Sequence, residues 1–274
     1  MNDVRGRDRC RRTRRLVWTV LGALVLASCE ASSQENPGPP KDTSQVGSGF
    51  VVRYETPATT DRREAALLRM GKVLEKGAAA LDTFLVLDRT VTVVGRSCHG
   101  QGSSYDAESR RLEICYDEVA EDRSLFQEAR DPRPDDAATA VVAETVFHEA
   151  GHALVDDLRL SLSDRNEEDA ADQFAALMLI RQGVEGERQL RQAAREYELS
   201  APTGDASATD DRDEHSSDLQ RAANHLCYLY GASPTRNADL VHTRYLSARR
   251  AAGCGTEWAH VRSTWTRNLA PALR

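Results

Sequence analysis

The chain has 274 residues, of which 40% are hydrophobic, 29% charged and only 5% aromatic, with a formal net charge of −7. That length holds one sizeable core or at most two small domains, and with so few aromatics Ala, Val and Leu must fill it. The acidic balance argues against nucleic acid as a partner and against attachment to anionic lipid through a basic surface.

The first segment stands apart. "VRGRDRCRRTRRLVWTVLGALVLASC" (4–29) is basic, then apolar from Leu16 to Ala27, then ends in a cysteine. This is the layout of a secretory signal peptide, and its apolar run is too short for a comfortable membrane span. Leu26-Ala27-Ser28-Cys29 resembles a bacterial lipobox, in which the cysteine thiol receives a diacylglycerol and becomes the new amino terminus. An ordinary signal with a chance cysteine is the alternative. Thr13-Arg14-Arg15-Leu16-Val17 also fits a loose twin-arginine pattern, so Sec and twin-arginine export both stay open. Residues 1–28 carry seven arginines against Asp3 and Asp8, so their removal takes the formal charge from −7 to −12. The expected organisation is a signal peptide at 1–28, a Ser/Pro/Gly-rich tether at 29–48 lipid-anchored through Cys29, and one domain over 49–274. The domain is then expected outside the cytoplasm, in the bacterial cell envelope.

Beyond the tether, "GFVVRYE" (49–55) alternates and reads as a strand. Residues 59–85 read as one long amphipathic helix with an apolar stripe around Ala66, Leu67, Met70, Val73 and Leu74. "RTVTVVGRSC" (89–98) and "RLEICYDE" (111–118) read as strands joined by turn residues, and are expected to pair antiparallel. Helices are expected over about 137–158, 163–183, a shorter polar stretch from Gly186, 215–231 and 237–254. Residues 200–214 are Gly/Ser/Asp-rich and read as a mobile surface loop. The order points to one α+β domain with a mainly helical second half. After Cys10 and Cys29 are set aside, Cys98, Cys115, Cys227 and Cys254 remain, an even number for an oxidising compartment. Of three pairings, Cys98–Cys115 and Cys227–Cys254 are favoured because each flanks a local unit. A four-cysteine metal site is the alternative, though no C-x-x-C spacing is present.

The chemistry concentrates at "VFHEAGHALVDD" (146–157). Residues four apart on a helix share a face, so His148 and His152 can present two imidazole nitrogens to one metal ion. Glu149 lies about 100° round and can reach a water without ligating. Two histidines buried on one helix face would give the same pattern, and a catalytic zinc needs a third protein ligand. "EEDAAD" on the next helix supplies Glu168 as that ligand, and Asp172, one turn on, as acceptor of the free ring N–H of His148. The competing reading is a solvated acidic first turn, favoured by the helix dipole, and Glu167 fits that description.

His148-Glu149-Ala150-Gly151-His152 followed by Glu168-Asp169-Ala170-Ala171-Asp172 resembles the zincins with a glutamate ligand, the gluzincins. "EDAADQFAA" is similar to the E-x-x-A-D-x-x-A form of membrane-associated members. A closer resemblance is to a bacterial family known only as metallopeptidases of unknown function. It rests on Cys98, "CYDE" (115–118), "HEAGH", "EEDAADQ", "DEHS" (213–216), Gln220-Arg221 and "CYLYG" (227–231), in that order. One departure is Gly102-Ser103-Ser104-Tyr105, where the family tends to Asn-Ala-Phe/Tyr-Tyr. The difference bears on substrate preference, because in zincins an edge strand near that position pairs with extended substrate.

The resemblance implies a zincin-like fold, a small twisted sheet over the H-E-x-x-H helix with substrate added at its edge. It further implies one Zn²⁺ held by His148, His152 and Glu168, with Glu149 as general base and a peptide or protein as substrate. Oxyanion donors are sought among His215, Tyr228 and Tyr230. His215 leads, since it stands at a helix mouth where Asp213 or Glu214 could orient it, against the alternative of a surface histidine near a cap. His99, His225, His242 and His260 receive no role. A non-catalytic zinc-binding lipoprotein, acting as a binding module or scaffold, is the alternative function. Zinc buffering is weaker, because the 200–214 loop lacks histidine.

Overall fold

The computed structural model describes residues 48–201 and 215–274. The signal segment, Cys29 and nearly all of the tether lie outside the described residues, as do Asp213 and Glu214. Among the described residues no helix is long and apolar enough to cross a membrane.

Strand β1 (Phe50–Tyr54) is β-branched and alternating, and pairs parallel with β2 (Val91–Arg96). The chain crosses between them through α1 (Arg62–Gly71) and α2 (Val73–Phe84). The single helix expected over 59–85 is therefore two. Lys72, at φ 51°, breaks it and closes α1 with its N–H on the Leu68 and Arg69 carbonyls. Leu68 and Leu74 are both fully buried, although six residues along an unbroken helix would put them about 120° apart. The break rephases the stripe and leaves Met70, an expected core residue, 78% exposed.

The expected antiparallel pairing of the second and third strands is also corrected. β4 (Arg111–Cys115) runs parallel to β2, with Val93 opposite Leu112. The intervening residues supply a further short strand, β3 (Ser104–Asp106), and the hairpin is β3–β4. Sheet order is β1-β2-β4-β3, so β3 is an edge. The connection is long enough to reverse twice. Its second turn is held by Ser109 N–H on Asp106 (2.6 Å) and by Arg110 in the left-handed region, whose guanidinium grips Asp157 at 2.6 and 2.8 Å. The strand expected to reach residue 118 ends at Cys115, because Tyr116 opens α3 (Tyr116–Glu128), a helix the sequence pattern did not announce.

Helix α4 (Pro134–Asp157) is the centre of the molecule. It contacts β3 and β4 and also α1, α2, α3, α5 (Asp164–Arg181) and α6 (Val184–Ser200). That position explains why its residues are apolar on nearly every side rather than along one stripe. α7 (Asp218–Ala232) and α8 (Ala248–Leu269) complete the helical half.

The helix expected at 237–254 is replaced by a short 3₁₀ turn at Ala238–Leu240 and a later start at Ala248. Local side-chain bonds outcompete it. Buried Asn237 donates to the Leu229 and Ser233 carbonyls, and Thr243 Oγ1 accepts from Leu246 N. Ser247 then caps α8 by accepting from Arg250 N. Both expected disulfides form: Cys98–Cys115 ties the ends of β2 and β4, and Cys227–Cys254 ties α7 to α8.

Candidate metal centre and active-site cleft

α4 and α5 run antiparallel and touch closely at Gly151. A Cβ there would sit 2.9 Å from Ala171 Cα. The glycine of "HEAGH" thus sets the helix separation and, with it, the reach of α5 side chains toward α4.

Across that contact the two histidines are handled alike. Asp172 binds His148 Nδ1 at 2.8 Å, and Glu167 binds His152 Nδ1 at 2.9 Å. Both rings therefore turn Nε2 inward, 3.2 Å apart. Glu168 lies at the same point, its carboxylate 3.2 Å from His148 Nε2 and 3.4 Å from His152 Nε2. His215 Nε2 comes within 2.9 Å of Glu168 Oε2. Despite these neighbours, Glu168 Oε2 is buried without an aligned hydrogen bond. Donor atoms of His148, His152 and Glu168 all lie within 4.8 Å of one another, a set of two imidazoles and one carboxylate that fits a divalent metal.

Asp172 is itself held. Arg221 of α7 donates Nε and a terminal nitrogen to it at 2.9 and 2.6 Å, and its guanidinium stacks 4.2 Å over the Tyr197 ring. Burial works to raise the Asp172 pKa, but Arg221 and His148 hold it well below the usual range. The same contest holds for Glu168, where burial is overridden by the three imidazoles around it, which hold its carboxyl well below the usual range. Burial opposes charge on His148 and His152, yet their carboxylates win and both are raised. The cluster as a whole favours positive charge at its centre. Glu149 is the exception. It is buried, and burial raises its pKa against the pull of the two histidines.

A cleft of about 400 Å³ opens over these groups, lined by His148, Glu149, His152, Glu168 and His215 and walled by Ser103, Ser104 and Tyr105 of the sheet edge. Glu149 and His215 thus face the same space as the metal-type donors. Tyr228 and Tyr230 do not line it, and Tyr228 packs on Trp258 in the core. His225 is fully buried, with Nε2 3.0 Å from Glu144 and Nδ1 without a hydrogen-bond partner among the described residues.

Two participants were not read from the pattern. Glu167 holds His152 rather than facing only solvent. It adjoins Glu168 at the start of α5, so a carboxylate opposite His152 was visible, but not its direction. Arg221 stood in the Gln220-Arg221 motif of the resemblance, but with no role attached and no spacing that ties it to Asp172.

Fold and site together define an α+β protein with a metal-type donor cluster in an open cleft. The model of a family described as "Putative metallopeptidase" matches residues 54–269, and the chain belongs to that family. No curated protein and no solved structure matches it.

Proposed function

We propose that the protein is a zinc-dependent peptidase of the zincin type, with one Zn²⁺ held by His148, His152 and Glu168. The observation that carries this reading is the convergence of both Nε2 atoms and the Glu168 carboxylate on one point, each Nδ1 being tied off by a carboxylate. Carboxylate–histidine pairs of this kind fix the tautomer that ligates metal. Zinc, when bound, supplies a Lewis acid for water and for the scissile carbonyl.

The chain's own residues do the rest. Glu149 takes the proton of the attacking water and returns it to the leaving amine. Its burial suits it to hold that proton between the two steps. His215, on the cleft wall, donates toward the carbonyl oxygen as negative charge develops. The edge strand β3 lies along the cleft, which supports binding of substrate as an added strand. The lipobox-like Leu26-Ala27-Ser28-Cys29 supports export and a lipid anchor on Cys29, with the domain facing peptides of the envelope.

The test is to incubate the purified full chain with a diverse peptide mixture, with and without chelator, and to read products by mass spectrometry. Chelator-sensitive cleavage is expected. One bound zinc with no cleavage would overturn the peptidase reading in favour of a zinc-binding lipoprotein without catalysis.

A further inference from the structure

The cleft continues into a second cavity of about 590 Å³, and the two share Ser103, Ser104, His148, Glu149 and His215. The added wall is carboxylate: Glu118 and Asp122 from α3, Glu144 from α4, Glu196 from α6 and Asp218 from α7. Three of these have partners. Glu118 accepts from Ser103 N at 3.0 Å, Glu144 pairs with His225 at 3.0 Å, and Asp218 accepts from Ser200 Oγ at 3.3 Å. Asp122 has none among the described residues, although it is only 7% exposed and faces the cavity. Its electrostatic neighbours, Glu196, Glu118, Glu121 and Glu144, are all acidic. Glu196, 9% exposed, has Asp218 and Glu144 as like charges, which with burial outweigh the Ser200 hydroxyl and the charge of Arg221. The wall's arginine, Arg221, is already committed to Asp172 and Tyr197.

An unpartnered buried carboxyl is costly in either protonation state unless something enters to meet it. Burial first, and like charge second, push Asp122 far above the usual carboxylate range and Glu196 up to about 7. An entering cation reverses both effects, since it pairs with each group as it ionises. A bare metal ion fits poorly, because neither Asp122 nor Glu196 belongs to any group of three donors within 4.8 Å. A long cationic side chain fits the space, which is in the size range of ligand pockets. Ser103 and Ser104, on the edge-strand side, border both cavities, so an extended peptide beside them can deliver such a side chain.

We propose that this cavity is the subsite for a lysine or arginine side chain of the peptide substrate, adjacent to the bond being cut, with Asp122 and Glu196 as the residues that select it. The position next to a scissile bond rests on the peptidase reading above, whereas recognition of the cation does not.

The test uses peptides acetylated at the amino end and amidated at the carboxyl end, identical except for lysine, norleucine or acetyl-lysine at one scanned position. With the full chain, kcat/KM for lysine should exceed that for norleucine by about tenfold or more, at one position flanking the cleaved bond. In Asp122→Asn with Glu196→Gln that ratio should fall to about two or less. The same peptides are then bound to the Glu149→Gln variant and followed by fluorescence anisotropy. Tighter binding of the lysine peptide, lost on adding Asp122→Asn, supports the subsite even if the parent protein cleaves nothing. In that case the peptidase reading fails alone. Equal binding of lysine and norleucine peptides overturns the subsite even if cleavage is chelator-sensitive. A lysine preference unchanged in folded Asp122→Asn and Glu196→Gln single variants, or one needing a free amino terminus, also overturns it.

Discussion

The carboxylates around α4 are treated in two opposite ways. On the α5 side, Glu167, Glu168 and Asp172 each meet an imidazole, and Asp172 meets Arg221 as well. On the α3 and α6 side, buried Asp122 faces other acids, and for buried Glu196 the acids and burial outweigh Arg221 and Ser200. Asp172 and Glu168 are held far below the usual range, whereas Asp122 is pushed far above it and Glu196 up to about 7. Burial acts identically on both, so the partner decides the sign. A buried carboxylate with its cation present is part of a built centre, whereas one without is a place where a cation is still to come.

The largest test of this contrast is Glu149→Gln, at the boundary between the two regions. Zinc content by metal analysis should match the parent while hydrolysis falls by about a thousandfold or more. Equal cleavage rates would remove Glu149 as the base. Next comes Glu168→Ala, which takes away the carboxylate that faces both Nε2 atoms. Stoichiometric zinc should be lost on dialysis, and retention of one equivalent would place the third ligand elsewhere.

A smaller effect is expected from Gly151→Ala. The new Cβ meets Ala171 backbone at 2.9 Å, so α4 and α5 must part. Stability should drop by about 1–3 kcal/mol in chemical denaturation, with weaker zinc binding. An unchanged midpoint and affinity would show that helix separation does not govern the centre.

An effect of similar size, confined to alkaline pH, separates the two regions. The Glu196 carboxyl sits at about 7 in the fold against an ordinary 4.5, with burial as the main cause and Asp218 next. Its raised value means that its favourable contribution is full below about pH 4.5 and is lost as pH rises through 7. Glu196→Gln should therefore flatten the fall in melting temperature between pH 5 and 8, worth on the order of 3 kcal/mol at the alkaline end. A parent and variant with parallel pH profiles would show that Glu196 is not held in that state.

Much of the centre could be read before any coordinates, because its geometry is local. His148, Glu149 and His152 lie within five residues of one helix, and Glu168 and Asp172 share a face of the next, so the helical repeat puts each set on one face of its own helix. The disulfide pairs were legible for a similar reason, each being close in sequence. The sheet was less so. Whether β2 and β4 run parallel depends on how the intervening chain doubles back, and Arg110 on Asp157, far away in sequence, helps hold that return. The break at Lys72 likewise answers to the core, which takes both Leu68 and Leu74.

The sequence by itself determined the helical spacing of the donors and the α+β class, and favoured the cysteine pairing that forms, because each follows from periodicity or from short separation along the chain. Only the tertiary structure decided that Glu167 faces His152, that Arg221 reaches Asp172, and that Asp122 and Glu196 meet across a cavity. Those outcomes depend on which faces of α3, α5, α6 and α7 the packing around α4 turns inward. No residue on one helix carries that information about another.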